Sequence, residues 1–181
     1  MATALNCPLP ELEPISELHQ SNIIRVRSAH LRDLDRLGDL WFYQRQYHER
    51  WDELYTSDSN AQIIWKEQIQ SSLEQPNHCV LVAEDALGKI VGYIHGSFYP
   101  WPFSPQEYYG SLNTIAVAEE IQDQGIGKKL VESLLQWFRY QQVDHISVHV
   151  DHRNRKAIKL YEKVGFRSYQ YRLMLNLEIL S

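Results

Sequence analysis

Hydrophobic positions change their period several times along the chain, and each change marks an element. IIRVRSA (23–29) alternates apolar and polar residues and predicts a first strand. Leu34, Leu37, Leu40 and Trp41 then recur at helical spacing from about His30, with Ser28 placed as a cap and Asp33 and Asp35 in the early turns. That pattern runs on through Tyr47 and Trp51 to Leu54. A second amphipathic segment spans about 60–73, with Ile63, Ile64, Ile69 and Leu73 as its apolar positions. HCVLVAED (78–85), the turn ALGK and IVGYIHGSF (90–98) predict a hairpin. YPWPFSPQ (99–106) reads as a Pro-broken aromatic loop, and GSLNTIAVAE (110–119) returns to strand. From Gly127 to about Gln141, Leu130, Val131, Leu134, Leu135 and Phe138 form one helical stripe. HISVHV (145–150) is a strand, Asn154 to Lys163 a short helix closed by Gly165, and FRSYQYRLMLNLEIL supplies one or two final strands. Residues 1–21, with Pro8, Pro10 and Pro14 and no sustained period, read as an irregular tail, and 22–181 as one domain. Hairpins at both ends and an internal strand–helix–strand unit give an α/β (α+β) fold.

Composition narrows the partners. The 181 residues carry 18 Lys+Arg against 23 Asp+Glu, a formal charge of −5. Nonspecific nucleic-acid binding needs a basic footprint that this chain lacks, although a local pocket for one phosphorylated ligand stays open. Cys7 and Cys79 make neither a CxxC pair, nor a zinc set, nor a disulfide framework. The N-terminus has no charged and apolar leader pattern, and no apolar run approaches the roughly 20 residues of a membrane helix. The expectation is a soluble, cytoplasmic protein of a reducing compartment, with no membrane partner. His145, His149 and His152 do not make a metal pattern, because His152 follows a turn and no carboxylate or cysteine reinforces them, so no metal is expected.

The most informative stretch is NTIAVAEEIQDQGIGKKL (113–130), a strand, a short loop and a helix. Gly125 and Gly127 permit positive φ and close backbone approach, so successive N–H groups can converge on one anion, and the following helix adds its unpaired donors and dipole. Lys128 and Lys129 add positive charge. A glycine-containing turn before any helix would read the same; the spacing is neither the Walker A nor the Rossmann pattern. The segment Asn154-x-x-Ala157-x-x-Leu160-Tyr161-x-x-x-Gly165-Phe166 lies downstream of it. Together with Gln122-x-x-Gly125-x-Gly127, it resembles the signature of the GNAT N-acetyltransferase superfamily. The resemblance covers residues 23 to about 177 and is strongest over 110–167. Gln122 stands where Arg is common in that superfamily, and Asp123 and Gln124 replace frequent basic residues, which leaves the loop less cationic.

The resemblance implies a mixed, mostly antiparallel sheet splayed into a V between the strands at 111–118 and 145–150. It further implies acetyl-CoA in the opening, with pantetheine paired to the backbone of Ile115 and Val117. Pyrophosphate would rest on the amides of Gln122, Asp123, Gln124, Gly125, Ile126, Gly127 and Lys128. Asn154 would hydrogen-bond the pantetheine arm, and Tyr161 would stand near the thioester sulfur. The implied activity is N-acetyl transfer to a primary amine, either a small molecule or a peptide or protein N-terminus. A dedicated small-molecule amine acetyltransferase and an idle acyl-CoA-binding module are the alternatives, and a homodimer is left open.

The residues themselves suggest how protons would move. An alkylammonium acceptor with a pKa near 10.4 is almost entirely protonated at pH 7, so its proton must go somewhere, and the departing thiolate needs a donor. Tyr161 is the candidate acid. His149 is the candidate base: strand alternation sets it with Ser147 on one face, and an imidazole is the side chain suited to proton acceptance at neutral pH. The plain alternatives are a packing role for Tyr161 and a solvated or hydrogen-bonded structural imidazole for His149. Glu84, at a strand end, is a second candidate base, with a solvated carboxylate as its plain alternative. Tyr93, His95, Tyr99, Trp101, Phe103, Tyr108 and Tyr109, or Trp41, Tyr43, Tyr47 and Trp51 beside Glu49, Asp52 and Glu53, are candidates for an acceptor groove or for ordinary packing.

Overall fold

The computed structural model describes residues 23–51, 56–102 and 104–175. Its five strands lie in sequence order in one sheet: β1 (Arg25–Ser28), β2 (His78–Glu84), β3 (Ile90–Trp101), β4 (Ser104–Val117) and β5 (His145–Val148). The first three junctions are antiparallel and β4 pairs β5 in parallel, so the sheet is mixed and mostly antiparallel, as expected. Helices α1 (Leu34–Glu49) and α2 (Ala61–Leu73) cover one face. Helices α3 (Ile126–Tyr140) and α4 (Arg155–Lys163) cover the other. Leu130, Val131, Leu134, Trp137 and Phe138 of α3 are all essentially inaccessible, which fastens this helix to β2, β3 and β4. Burial of each such side chain contributes about 1.5–3 kcal/mol relative to exposure.

The β4–β5 ladder positions the site. It runs only from Tyr109–Leu112 against His145–Val148. Beyond Leu112, β4 continues beside β3 to Val117, whereas β5 ends at Val148. The sheet therefore opens between these strands, with Leu112 and Val148 at the apex of the V.

Several elements differ from the sequence reading. Ser28 ends β1 and does not cap a helix; a 3-10 turn, Leu31–Asp33, precedes α1, and the His30 backbone N–H donates to Asp33 Oδ2 at 2.8 Å. Helix α1 ends at Glu49, and the expected continuation to Leu54 falls outside the described residues. In α2, Ile63 and Ile64 face solvent and Trp65 is buried, because its ring stacks on Trp41 at 5.4 Å and meets Tyr93 edge-on at 5.6 Å. The aromatic stretch 99–106 extends the hairpin arm, with Tyr99 opposite Tyr109 and Pro100 opposite Tyr108. Proline is tolerated there because β2 begins only at His78, opposite Ser97, so no ladder bond is lost on that side. Strand β5 stops two residues short of Val150, and residues 166–175 form no strand; 176–181 lie outside the described residues, as does the expected tail at 1–21. No helix among the described residues is long and apolar enough to cross a membrane.

Candidate active site

The loop between β4 and α3 has the backbone its sequence calls for. Gly125 is the N-cap of α3 in the left-handed region (φ 82°, ψ 0°), Asp123 is also left-handed (φ 63°), and no side chain caps the helix. The amides of Ile126, Gly127 and Lys128, in the first turn, have no intrahelical acceptor by helix geometry. These donors and the helix dipole make a cradle for an anion at the open end of the V. The Gln122 N–H differs from the rest of the expected run, since it already donates to Glu119 O at 3.2 Å.

Close approach at Gly127 joins three elements. A Cβ there would lie 3.3 Å from the Leu160 side chain and within 4.0 Å of the Ile115 and Val117 side chains. The expected loop, β4 edge and α4 residues therefore converge. Asp123 and Lys156 add an exposed ion pair at 3.0 Å between the loop and α4. The two β4 carbonyls assigned to pantetheine have partners of their own: Gln44 Nε2 donates to Ile115 O, and Gln122 Nε2 donates to Val117 O at 3.1 Å.

Asn154 caps α4, its Oδ1 accepting from the Ala157 N–H at 3.1 Å. Tyr161 is nearly buried on α4 and meets Phe166 edge-on at 5.7 Å. Burial pushes its phenol up to about 12, so it stays protonated and able to donate at neutral pH. His149 lies just beyond β5 and is exposed, at the apex rather than within a strand. Glu84 is committed elsewhere. Arg27 donates to Glu84 Oε1 (2.8 and 2.5 Å) and to Asp33 (2.7 and 3.2 Å), a partly buried triad that ties β1 to β2 and to the start of α1. Burial opposes the charge of Asp33, but hydrogen bonds from Arg27 and the His30 N–H outweigh it and hold the carboxyl below its usual range. Among the described residues no three metal-ligating side chains converge. Trp41, of the proposed groove aromatics, is spent on Trp65, whereas Phe103, Asp52 and Glu53 lie outside the described residues.

One constellation was not assembled from sequence. His78 Nδ1 lies 3.0 Å from His95 Nε2, and His78 Nε2 lies 2.9 Å from Tyr99 Oη. Asn113 Nδ2 donates to Ser97 Oγ at 2.9 Å and reaches His95 Nε2 at 3.4 Å. Burial, and then the neighbouring His78, push His95 down to about 3; burial also lowers His78, so both rings are neutral at pH 7. A bulge in the β3–β4 register lets Asn113 join this face: His95 opposes Thr114 and Gly96 opposes Leu112, with Asn113 between. His95 was visible in sequence only as one aromatic among several; nothing local links it to His78 or Asn113.

Comparison with known proteins agrees with this geometry. The profile of the Acetyltransferase (GNAT) family matches residues 40–166. An uncharacterized N-acetyltransferase, YobR of Bacillus subtilis, is 34% identical over 58 residues, 32% of this chain and 24% of that protein. A mycothiol acetyltransferase of Acidothermus cellulolyticus is 29% identical over 110 residues, 56% of this chain and 33% of that protein. The chain thus spans a third or less of the curated relatives it matches. A crystal structure of a mutant BH1408 protein from Bacillus halodurans superposes with a TM-score of 0.76 at 21% identity, covering 84% of this chain and 98% of that one. A ribosomal-protein-alanine N-acetyltransferase from Brucella melitensis gives 0.66 at 18% identity, covering 85% and 99%. The family match spans well over half of the sequence, and with it the chain belongs to the GNAT acetyltransferase family.

Proposed function

We propose that this acetyltransferase moves the acetyl group of acetyl-CoA to the nitrogen of a primary amine, both substrates being bound together. The observation that carries this reading is the uncapped N-terminus of α3 behind left-handed Gly125, set beside the free edge of β4 at the mouth of the V. Bound acetyl-CoA would supply an acetyl group already activated as a thioester.

The chain's own groups divide the remaining work. The amides of Ile126, Gly127 and Lys128 hold the pyrophosphate, and the backbone of Ile115 and Val117 aligns the pantetheine arm. Asn154 keeps the first turn of α4 fixed beneath that arm. Tyr161, protonated and nearly buried, donates its hydroxyl proton toward the departing sulfur. His149, exposed at the apex, accepts the proton that the acceptor ammonium must lose. Backbone N–H groups of the splayed strand polarise the thioester carbonyl.

The test is mass spectrometry of products after incubation with acetyl-CoA and a mixed library of amines and peptides. An acceptor heavier by one acetyl group, with stoichiometric release of CoA thiol, is the expected result. Tight CoA binding without transfer to any amine would overturn it and leave a binding module.

A further inference from the structure

The polar face at the apex goes beyond cofactor binding. Ser97 opposes Ser111 across β3–β4, and Ser111 opposes Ser147 across β4–β5, so three serines form one rung directly beside Asn113. The Ser147 hydroxyl is buried and has no hydrogen-bond partner among the described residues. An orphaned hydroxyl of that kind costs about as much as a lost hydrogen bond unless a ligand answers it.

Asn113 is placed with its amide nitrogen toward this network. Its amide nitrogen is engaged by Ser97 Oγ and His95 Nε2, and an amide has only those two donors. The carbonyl oxygen of the same planar group therefore points away from the network. The residue is exposed and sits one position past Leu112, where β4 parts from β5. In the tautomer that matches this amide orientation, His78 Nδ1–H donates to His95 Nε2 and Tyr99 O–H to His78 Nε2, and His95 Nε2 is an acceptor shared between His78 at 3.0 Å and Asn113 at 3.4 Å. No carboxylate stands among these groups. The titratable groups that face His95 are His78 and, beyond it, Tyr99.

We propose that Asn113 Oδ1 accepts a hydrogen bond from the acceptor's amine at the apex, that His95 is the positioning residue fixing the amide's flip, and that Ser147 hydrogen-bonds the acceptor's flank. The acceptor class that fits these groups is an amine beside a neutral amide or hydroxyl; a diamine's second ammonium would meet no anion among Asn113, His95, Ser97 and Ser147. The proposal rests on the amine-transfer reading above and deepens it.

The experiment compares steady-state acetylation of glycinamide and of a diaminoalkane, with CoA affinity measured by calorimetry in every variant. The wild type should favour glycinamide by about tenfold in kcat/KM, the order expected for one hydrogen bond left unmade. Asn113→Ala and Ser147→Ala should each raise KM for glycinamide about five- to tenfold and leave CoA affinity unchanged. Asn113→Asp should shift preference toward the diamine. His95→Phe should reproduce the KM defect of Asn113→Ala, whereas His95→Gln, whose carbonyl still accepts from Asn113, should restore most of it. Preference and KM unchanged in Asn113→Ala, with transfer intact, would overturn this proposal alone. Absence of transfer to either amine and to the library, with CoA still bound, would overturn the functional reading and the proposal together.

Discussion

Gly125 separates backbone conformation from charge at the proposed phosphate cradle. It is left-handed, and a Cβ there meets no atom within 4 Å, so a side chain is limited by conformation and not by collision. Asn and Asp are the two residues that tolerate this conformation best, at less than the roughly 1–2 kcal/mol of an ordinary side chain. Gly125→Asn and Gly125→Asp have the same shape and should therefore destabilise equally. For a chain of this size each kcal/mol lowers Tm by about 2–4 °C. They differ in one charge. A carboxylate about 5 Å from a phosphate charge, at an effective dielectric near 20, is repelled by about 3 kcal/mol, or somewhat over a hundredfold in affinity. Calorimetry with CoA should show Gly125→Asn within a few-fold of wild type and Gly125→Asp weaker by two orders of magnitude. The gap should narrow as salt is added. Equal affinities in the two variants, with equal Tm, would remove the pyrophosphate from this loop.

Other groups yield to simpler tests. Tyr161→Phe keeps the packed ring and deletes one hydroxyl, so kcat should fall by about 10²–10⁴ with CoA affinity little changed; full activity would leave Tyr161 a core residue. His149→Gln keeps hydrogen-bonding capacity but cannot take up the proton, so kcat/KM at pH 7 should fall and should recover at high pH, where free amine is abundant; full activity at pH 7 excludes His149. In the Arg27 triad the folded pKa of Asp33 lies below its unfolded value, so the stabilisation is complete above about pH 4 and is lost as pH falls through the lowered folded value. Arg27→Met, which strands two partly buried carboxylates, should cost about 3–5 kcal/mol by urea unfolding at pH 7 and less at acid pH; a cost independent of pH would refute the pairing.

What the sequence could disclose follows from how local each feature is. The Gly125–Gly127 loop, the α3 stripe and the Gly165 terminus are each written within a few residues, and all three stand where they were expected, Gly165 with φ at 104°. Prolines at 100 and 102 argued for a loop, but the arm lies beyond the end of β2, where a missing N–H costs nothing. Helix α2 turned on Trp65, whose partners Trp41 and Tyr93 come from other elements, so periodicity alone favoured Ile63 and Ile64. The His78–His95–Asn113 network joins three strands through a bulge, and a bulge leaves no local mark when its neighbours still alternate. Glu84 looked free as a strand end because its cation, Arg27, is distant in sequence.

The opened edge of β4 imposes a last requirement, because a strand that leaves its neighbour strands its own carbonyls. Here α1 supplies Gln44 to Ile115 O and the loop supplies Gln122 to Val117 O. If a pantetheine amide approaches along the lone pair that the glutamine occupies, the glutamine must leave, and each glutamine would then compete with the cofactor as it protects the free edge. A net hydrogen bond of this kind is worth about 0.5–1.5 kcal/mol, which corresponds to an affinity held back by roughly two- to tenfold. Gln44→Ala removes one competitor at a helical position where alanine is at least as good a helix former as glutamine. CoA should bind several-fold more tightly to Gln44→Ala, with a small loss of stability in the free protein from the uncovered carbonyl. Isothermal titration and thermal unfolding, run with and without CoA, separate the two effects. Weaker binding in Gln44→Ala would mean that the glutamine holds the cofactor directly, and would refute the exchange.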